Sequence, residues 1–156
     1  MRILLAIDGS PSSNAAVDEV CRRPWPAGTE VLHITVRSSL DMITLHESLA
    51  QPIESKNIFE HPDWKEVKFL EDAATELEQH APEIRVKTML LEGRPKDVIL
   101  DEAELWGADL IVVGSHGYGA IRRFMLGSVS FAVALNASCS VEIVRRLPEH
   151  RINIEK

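Results

Sequence analysis

Ala108-Asp-Leu-Ile-Val-Val113 is an apolar run that leads directly into Gly114-Ser-His-Gly117, and after nine further residues Gly127-Ser128 opens a second apolar stretch, Val129–Leu135. A buried strand, a glycine-rich loop and a helix start in this order are typical of an anion-binding site. Glycines allow backbone N–H groups to approach a phosphate, and a helix N-terminus adds free donors and a partial positive charge of roughly half a unit. The alternative interpretation is a tight turn that binds no ligand.

Strands and helices alternate on both sides of this loop. Apolar runs predict strands over residues 2–8, 29–36, 84–91, 109–113 and 140–144, and periodic or capped stretches predict helices over residues 10–23, 63–80, 95–106 and 128–137. Residues 37–62 mix apolar and polar groups and are interpreted as a loop or a short helix over the sheet. The alternation predicts an α/β domain with one open parallel sheet of five strands, right-handed crossovers and helices on both faces. Apolar and basic residues alternate at the start of 84–91, which places that strand nearer the sheet edge.

Three of the predicted strands end at residues that are expected to share one site. Asp8, Ile34 and Gly114 lie at or near the carboxyl ends of their strands, where open α/β sheets bind ligands at the point at which strand order reverses. Asp8 is interpreted as a ligand contact or as a carboxylate that holds a divalent ion against phosphates, with helix capping as the alternative. The side chain of Ile34 is expected in the core.

The glycine loop, residues 114–128, and the helix start behind it offer the candidate anion ligands. Gly117 and Gly127 are the strongest candidates for close approach to a phosphate. The hydroxyls of Ser128 and Ser130 are expected to donate to phosphate oxygens, with capping of the helix as the alternative.

Charged and titratable residues of the loop are harder to assign. Of Arg122 and Arg123, one is expected to reach the phosphates, unless both belong to a solvated basic turn. His116 is of the residue type that most often serves as a general base. No Ser/His/Asp arrangement is readable around it in the sequence, so no catalytic residue is assigned.

Composition narrows the class of protein. The 156 residues predict one domain over residues 1–147 and a polar tail over 148–156. The net charge of −7 argues against a nucleic-acid partner, which would require a basic field. No signal-peptide layout and no apolar stretch approaching 18 residues is present, which predicts a cytoplasmic protein without a membrane partner. Cys21 and Cys139 are expected to be reduced thiols in or near the core.

The glycine loop resembles the signature of the universal stress protein family. Nucleotide-binding members of that family carry Gly-x-x-Gly, nine residues, and then Gly-Ser or Gly-Thr, and Gly114, Gly117, Gly127 and Ser128 occupy every fixed position here. The resemblance covers nearly the whole chain: residues 3–10 are similar to the first strand and its terminal aspartate, residues 31–34 to the second strand, and residues 92–95 to the turn before the third helix.

The resemblance implies a Rossmann-like fold of the adenine nucleotide alpha hydrolase type with strand order 3-2-1-4-5. It implies a stress-response regulator that binds ATP or AMP with little or no turnover, and it allows Mg²⁺ to be held between Asp8 and the phosphates. The nucleotide contacts that it implies are Ala6, Asp8, Ile34, Gly114, His116, Gly117, Arg123, Gly127, Ser128, Val129 and Ser130.

Two other functions are weighed against the regulator. A slow ATPase or an adenylating enzyme of the same superfamily usually carries Ser-Gly-Gly-x-Asp-Ser after the first strand, whereas residues 8–13 read Asp-Gly-Ser-Pro-Ser-Ser, and no His-x-Gly-His motif is present. The other alternative is a stress adaptor that acts by protein contacts without a nucleotide, against which the intact glycine spacing argues.

The resemblance also implies a homodimer in which strand 140–144 pairs with its own copy. Val141, Ile143 and Val144 are expected to supply apolar contacts. Glu142 departs from the usual apolar run, and a charge on an edge strand is also how a monomer prevents pairing. For the dimer, Arg145 or Arg146 of the partner subunit is expected to neutralise it.

Overall fold

The computed structural model of the chain describes residues 1–37, 62–117 and 126–146, with the side chains of residues 62–67 left undescribed. Five strands make one parallel sheet: β1 (Arg2–Ala6), β2 (Glu30–Arg37), β3 (Arg85–Glu92), β4 (Leu110–Gly114) and β5 (Ser140–Val144). The strand order is β3-β2-β1-β4-β5, which confirms the predicted topology.

Four helices connect these strands within the described residues: α1 (Pro11–Arg22), α2 (Pro62–His80), α3 (Pro95–Trp106) and α4 (Ser128–Asn136). Their ends follow from local sequence. Ser10 caps α1, because its hydroxyl accepts a hydrogen bond from the N–H of Ser13 at 3.3 Å, and Pro11 follows at the first helical position. Gly107 ends α3 in the left-handed conformation, with φ of 70°.

The core lies on both faces of the sheet, as predicted. On one face, β1 side chains such as Leu5 pack with residues of α1 and α2, including Val17 and Leu77. On the other face, Leu4 packs with residues of α3 and α4, including Ile99 and Val133. The central strands β1 and β4 are therefore buried on both sides, which explains their continuous apolar sequence.

The observed elements agree with the predicted ones to within about two residues. The largest difference is at β1, which ends at Ala6 rather than Asp8; the N–H of Ile7 still donates to the carbonyl of Ile34 at 3.0 Å. β3 is an edge strand with mostly exposed or half-buried residues, as its alternating sequence predicted. Most of segment 37–62, which was interpreted as a loop or a short helix, lies outside the described residues, as does the predicted tail 148–156.

The charge of Glu142 on the edge strand β5 is paired within the chain. The guanidinium of Arg23 donates two hydrogen bonds to the Glu142 carboxylate, at 2.8 and 2.7 Å, and a third to Glu19 at 2.9 Å. Arg23 also lies 5.8 Å from the ring centroid of Trp25. The sequence-based expectation that a partner subunit supplies the cation thus missed Arg23, which is distant in sequence and adjacent in space.

Two further predictions from composition concern the cysteines and membrane-spanning segments. Cys21 and Cys139 are free and partly buried, and burial is the largest cause that raises the pKa of each thiol, to about 11 for Cys21. Of the helices in the described ranges, none combines the length and apolar character needed to cross a membrane.

Candidate functional site

A cleft of about 650 Å³ opens at the carboxyl ends of β1, β2 and β4. It lies where strand order reverses, since β1 is bonded to β2 on one side and to β4 on the other. Ten of the predicted site residues line it: Ala6, Asp8, Ile34, Gly114, His116, Gly117, Gly127, Ser128, Val129 and Ser130. Arg123, the remaining one, lies outside the described residues.

One half of the cleft is apolar. Ile34 and Val36 of β2, Val113 of β4, and Pro95 and Ile99 of α3 line this part. α3 is brought over the strand ends by a tight turn, in which Gly93, with φ of 143°, donates its N–H to the carbonyl of Arg37 at 2.9 Å. Walls of this kind suit a flat, weakly polar group such as a heterocyclic base.

The other half of the cleft holds the N-terminus of α4. The first helical hydrogen bond runs from the N–H of Phe131 to the carbonyl of Gly127 at 2.9 Å. The N–H groups of residues 128–130 therefore have no acceptor inside the helix, and Gly127, at the N-cap position, offers no side chain to cap them. These donors and the helix dipole favour an anion at this end of the cleft.

The two serines at the start of α4 differ in what their hydroxyls do. Ser128 is exposed and makes no hydrogen bond within the described residues, so its hydroxyl is available to a ligand. Ser130 is buried, and its hydroxyl donates to the carbonyl of Gly114 at 2.6 Å. The Ser130 hydroxyl thus links α4 to the end of β4. This hydrogen bond is neither the phosphate contact nor the helix cap that was considered from the sequence.

The first turn of α1, in contrast, is closed by its own side chains. Ser13 donates its hydroxyl to the carbonyl of Ser10 at 2.9 Å, and the Ser10 hydroxyl donates to the carbonyl of His116 at 3.0 Å. Both serines line the cleft, although no sequence pattern singled them out as site residues. At the start of α1, Pro11 has no N–H and the N–H of Ser13 donates to the Ser10 hydroxyl, whereas the N–H groups of residues 128–130 have no acceptor within α4.

The Asp8 carboxylate lies between these two helix starts. One oxygen, Oδ1, accepts a hydrogen bond from the N–H of Ser10 at 2.9 Å, which resembles the capping role considered from the sequence. The other oxygen, Oδ2, has no hydrogen-bonding partner among the described residues. No cluster of three or more metal-ligating side chains occurs in the described ranges, so at this site a divalent ion would take one protein oxygen and the phosphates of a ligand.

His116 is bonded to its neighbour rather than to an acid. Its Nδ1 lies 2.9 Å from the hydroxyl of Ser115, and its Nε2 is buried without a hydrogen-bonding partner in the described part of the chain. No carboxylate orients the ring there, so the arrangement lacks the third member of a nucleophilic triad.

Several lining residues were missed by the sequence-based assignment. Val36, Pro95 and Ile99 were recognised only as parts of a strand and a helix, because nothing in their local pattern shows which strand end a helix will cover. The one usable signal was the position of Val36 and Pro95 at the carboxyl end of a strand and the start of the following helix.

Together, the parallel sheet and the cleft at the strand switch point define a doubly wound α/β domain whose cleft combines an apolar half with a helix N-terminus. The sequence model of the universal stress protein family matches residues 1–145, and the chain belongs to this family.

Individual relatives agree with this assignment. The universal stress protein YxiE of Bacillus subtilis is 31% identical over 147 residues, which cover 92% of this chain and 98% of YxiE. The solved structure of the hypothetical protein MJ0577 has the same fold, with a TM-score of 0.78 at 24% identity, covering 94% of this chain and 96% of that one. A family member from Arabidopsis thaliana, solved with AMP bound, has a TM-score of 0.69 at 19% identity and covers 96% and 97% of the two chains.

Other relatives are longer than this chain. In the matched proteins from Mycolicibacterium smegmatis, Mycobacterium bovis and Mycobacterium tuberculosis, the chain spans less than half of the relative's own length.

Proposed function

We propose that this universal stress protein binds an adenine nucleotide, ATP or AMP, in the cleft and acts as a stress-response regulator with little or no turnover. The observation that carries the proposal is the pairing, in one cleft, of an apolar half with a helix N-terminus whose N–H donors have no acceptor within the described residues. A nucleotide has the matching two halves, a flat base and an anionic phosphate.

The placement of the ligand follows from this division. The base lies between the β2 end and α3, against Ile34 and Val36, and the phosphates lie at the N–H groups of residues 128–130. Ser128 adds a hydroxyl at the same end that makes no hydrogen bond to the described residues. The AMP-bound Arabidopsis relative supports an adenine nucleotide as the ligand class, and Arg123 is retained as a proposed phosphate contact.

Mg²⁺ is proposed as an accompanying ion rather than a resident one. Oδ2 of Asp8, which has no hydrogen-bonding partner among the described residues, fits a hard cation, which prefers oxygen ligands and binds nucleotide phosphates together with one or two carboxylates. When bound, the ion neutralises phosphate charge, while Asp8 supplies the protein oxygen.

Low turnover is proposed because the described residues of the cleft do not assemble the groups needed for rapid phosphoryl transfer. Efficient transfer requires a group that positions or deprotonates the nucleophile beside a metal clamp. Within the described residues, His116 is bonded to Ser115 and no acid orients it. A slow ATPase or adenylating enzyme remains the alternative with the same ligand, and an adaptor without a nucleotide is the alternative that an empty cleft in solution would favour.

We also propose a cytoplasmic homodimer that pairs through β5. The outer edge of β5 has no strand beside it in the described sheet, and open edges are normally paired, covered or charged. The charge that would protect it, on Glu142, is neutralised by Arg23 of the same chain. This internal pairing supports a second copy of the chain as the occupant of the edge.

Thermal unfolding of the purified protein tests nucleotide binding. A ligand that binds only the folded state stabilises it by about 2.7 kcal/mol at one hundred times its dissociation constant. For a chain of this size that corresponds to a rise in Tm of roughly 5–10 °C. We expect such a rise with millimolar ATP or AMP and none with ribose 5-phosphate at the same concentration. An unchanged Tm together with a blank calorimetric titration would contradict the proposal.

A further inference from the structure

We propose that Gly117 is a positioning residue for the Asp8 carboxylate: its missing side chain makes room for Asp8, and it affects the ligand through Asp8. This inference rests on the proposed nucleotide site for its effect on binding, but the contact itself is present without a ligand. It differs from the sequence-based interpretation, in which Gly117 lets a phosphate approach the backbone.

The space beside Gly117 is filled by the protein. A Cβ atom placed on Gly117 would lie 2.6 Å from Oδ2 of Asp8 and 3.9 Å from its Cγ, and apart from the two chain neighbours no other heavy atom of the described residues comes within 4 Å of it. Protein Cβ atoms essentially never come that close to another heavy atom. Within the part of the chain that the structure describes, one carboxylate oxygen is thus the obstruction to a side chain at this position.

The φ angle of Gly117 gives no second reason for glycine. The described glycines with positive φ are Gly9, Gly28, Gly93 and Gly107, and Gly117 is not among them. Its φ thus lies outside the left-handed region that favours glycine. Among the described residues, the requirement for glycine at position 117 comes from Asp8.

The carboxylate cannot move aside without a loss. Its other oxygen, Oδ1, accepts the N–H of Ser10 at 2.9 Å, just before α1 begins. Rotating the carboxylate away from a methyl group on residue 117 would lengthen or break this charge-assisted bond. Because Asp8 lines the cleft, the same rotation changes the oxygen that faces a ligand.

Gly127 provides a matched control in the same loop. A Cβ there would have as its three nearest described neighbours His116 Cα and Ser115 O at 3.3 Å and Gly117 N at 3.7 Å, none of them an atom of Asp8. Gly114 is less suitable, since its Cβ would meet backbone atoms of Ser12 and Ser13 at 2.6 Å and disturb the packing of α1.

The ligand-free protein gives the first readout, through thermal unfolding of Gly117→Ala, Asp8→Ala and the double variant. We expect Gly117→Ala to lower the Tm by roughly 2–4 °C, the size of shift that a loss of one modest interaction causes in a domain of this length. In the Asp8→Ala background the same change should leave the Tm unchanged or raise it, because Gly→Ala at a compatible backbone position restricts the unfolded chain. Asp8→Asn keeps an atom at the Oδ2 position and should not relieve the effect.

AMP affinity, measured by calorimetry on the same variants, gives the second readout. We expect Gly117→Ala to weaken AMP binding about tenfold when Asp8 is present and to add no further loss when residue 8 is Ala. Gly127→Ala should weaken binding by the same factor in both backgrounds, since the effects of residues that do not interact are additive.

Two outcomes would overturn the inference. One is a loss of AMP affinity with Gly117→Ala that is equal in both backgrounds while the ligand-free Tm is unchanged, because Gly117 would then contact the ligand directly. The other is a fall in Tm that is the same whether residue 8 is Asp or Ala. If AMP binds to none of the proteins, the proposed function fails, while the ligand-free Tm values still decide the inference.

Discussion

The hydroxyl of Ser130 and the N–H of Gly127 are both bonded inside the protein, the first to Gly114 at 2.6 Å and the second to Ser115 at 2.8 Å. Sequence alone placed both residues at the anion site, and both line the cleft. The sequence could not show whether these groups bond to a ligand or to a neighbouring residue, because a hydroxyl or an N–H can form a hydrogen bond with either one. The contacts of Ser128 and Ser130 differ only because one side chain of the helix start points outward and the other is buried.

His33 is the most unusual single residue away from the cleft. It lies in β2, it is fully buried, and neither ring nitrogen has a hydrogen-bonding partner within the described ranges. Burial lowers its pKa to about 4, and no charged group contributes to that shift. The ring is therefore neutral at physiological pH in the folded protein.

This lowered pKa predicts a loss of stability in acid. In the unfolded chain the imidazole has its ordinary pKa of about 6.5, so between pH 6.5 and 4 the unfolded state binds the proton and the folded state does not. The contribution of His33 to the free energy of unfolding is intact above pH 6.5, and it falls by roughly 3 kcal/mol by pH 4. Urea unfolding at pH 7 and pH 5 should show the wild type losing about 2 kcal/mol more than His33→Leu over this interval. Equal losses in the two proteins would show that His33 does not titrate in this way.

At the scale of secondary structure, the elements that sequence predicted best are those whose pattern is set by burial. β1 and β4 are buried on both faces and are continuous apolar runs, while β3 lies at the edge and alternates. α3 is bounded by Pro95 and Gly107, the residues that start and end helices for steric reasons. The topology followed from the alternation and from the family resemblance, and the structure confirms it.

Contacts between elements were the part that sequence could not supply. The apolar half of the cleft exists because α3 covers the end of β2, which brings Ile99 beside Ile34. Arg23 reaches Glu142 across 119 positions of sequence because α1 packs near β5. Neither contact leaves a local pattern in the sequence, since each depends on how the helices pack against the sheet.

At the scale of the whole molecule, the edge of β5 leads to a prediction about assembly. If the edge pairs with a second copy, light scattering at micromolar concentration should give about twice the chain mass of 17.4 kDa. Ile143→Lys should give the mass of one chain, because it places an unpaired charge in a half-buried position of the edge strand. Thr75→Lys, on an exposed surface of α2, is the control and should leave the mass unchanged. A wild-type protein with the mass of one chain would show that the edge is not paired.

Dimer formation and ligand binding involve different parts of the fold and can be tested separately. β5 lies at the end of the sheet and supplies none of the described cleft residues, which come from β1, β2, β4, α3, the starts of α1 and α4, and the loops after β1 and β4. A monomeric protein that still binds AMP would therefore change the account of the edge and leave the account of the cleft in place.

The central claim is that the phosphate of a nucleotide binds at the N-terminus of α4, and its most direct test is calorimetric titration of AMP into the wild type, Ser128→Asn and Ser128→Asp. Ser128 is exposed at the first position of the helix, so neither change disturbs the core. An acidic residue there is favourable to the helix dipole, so the ligand-free Tm of Ser128→Asp should be unchanged or higher. We predict binding by the wild type, similar binding by Ser128→Asn, and binding at least about tenfold weaker by Ser128→Asp, because its carboxylate repels the phosphate. No binding by the wild type, or equal affinity in all three proteins, would contradict the claim.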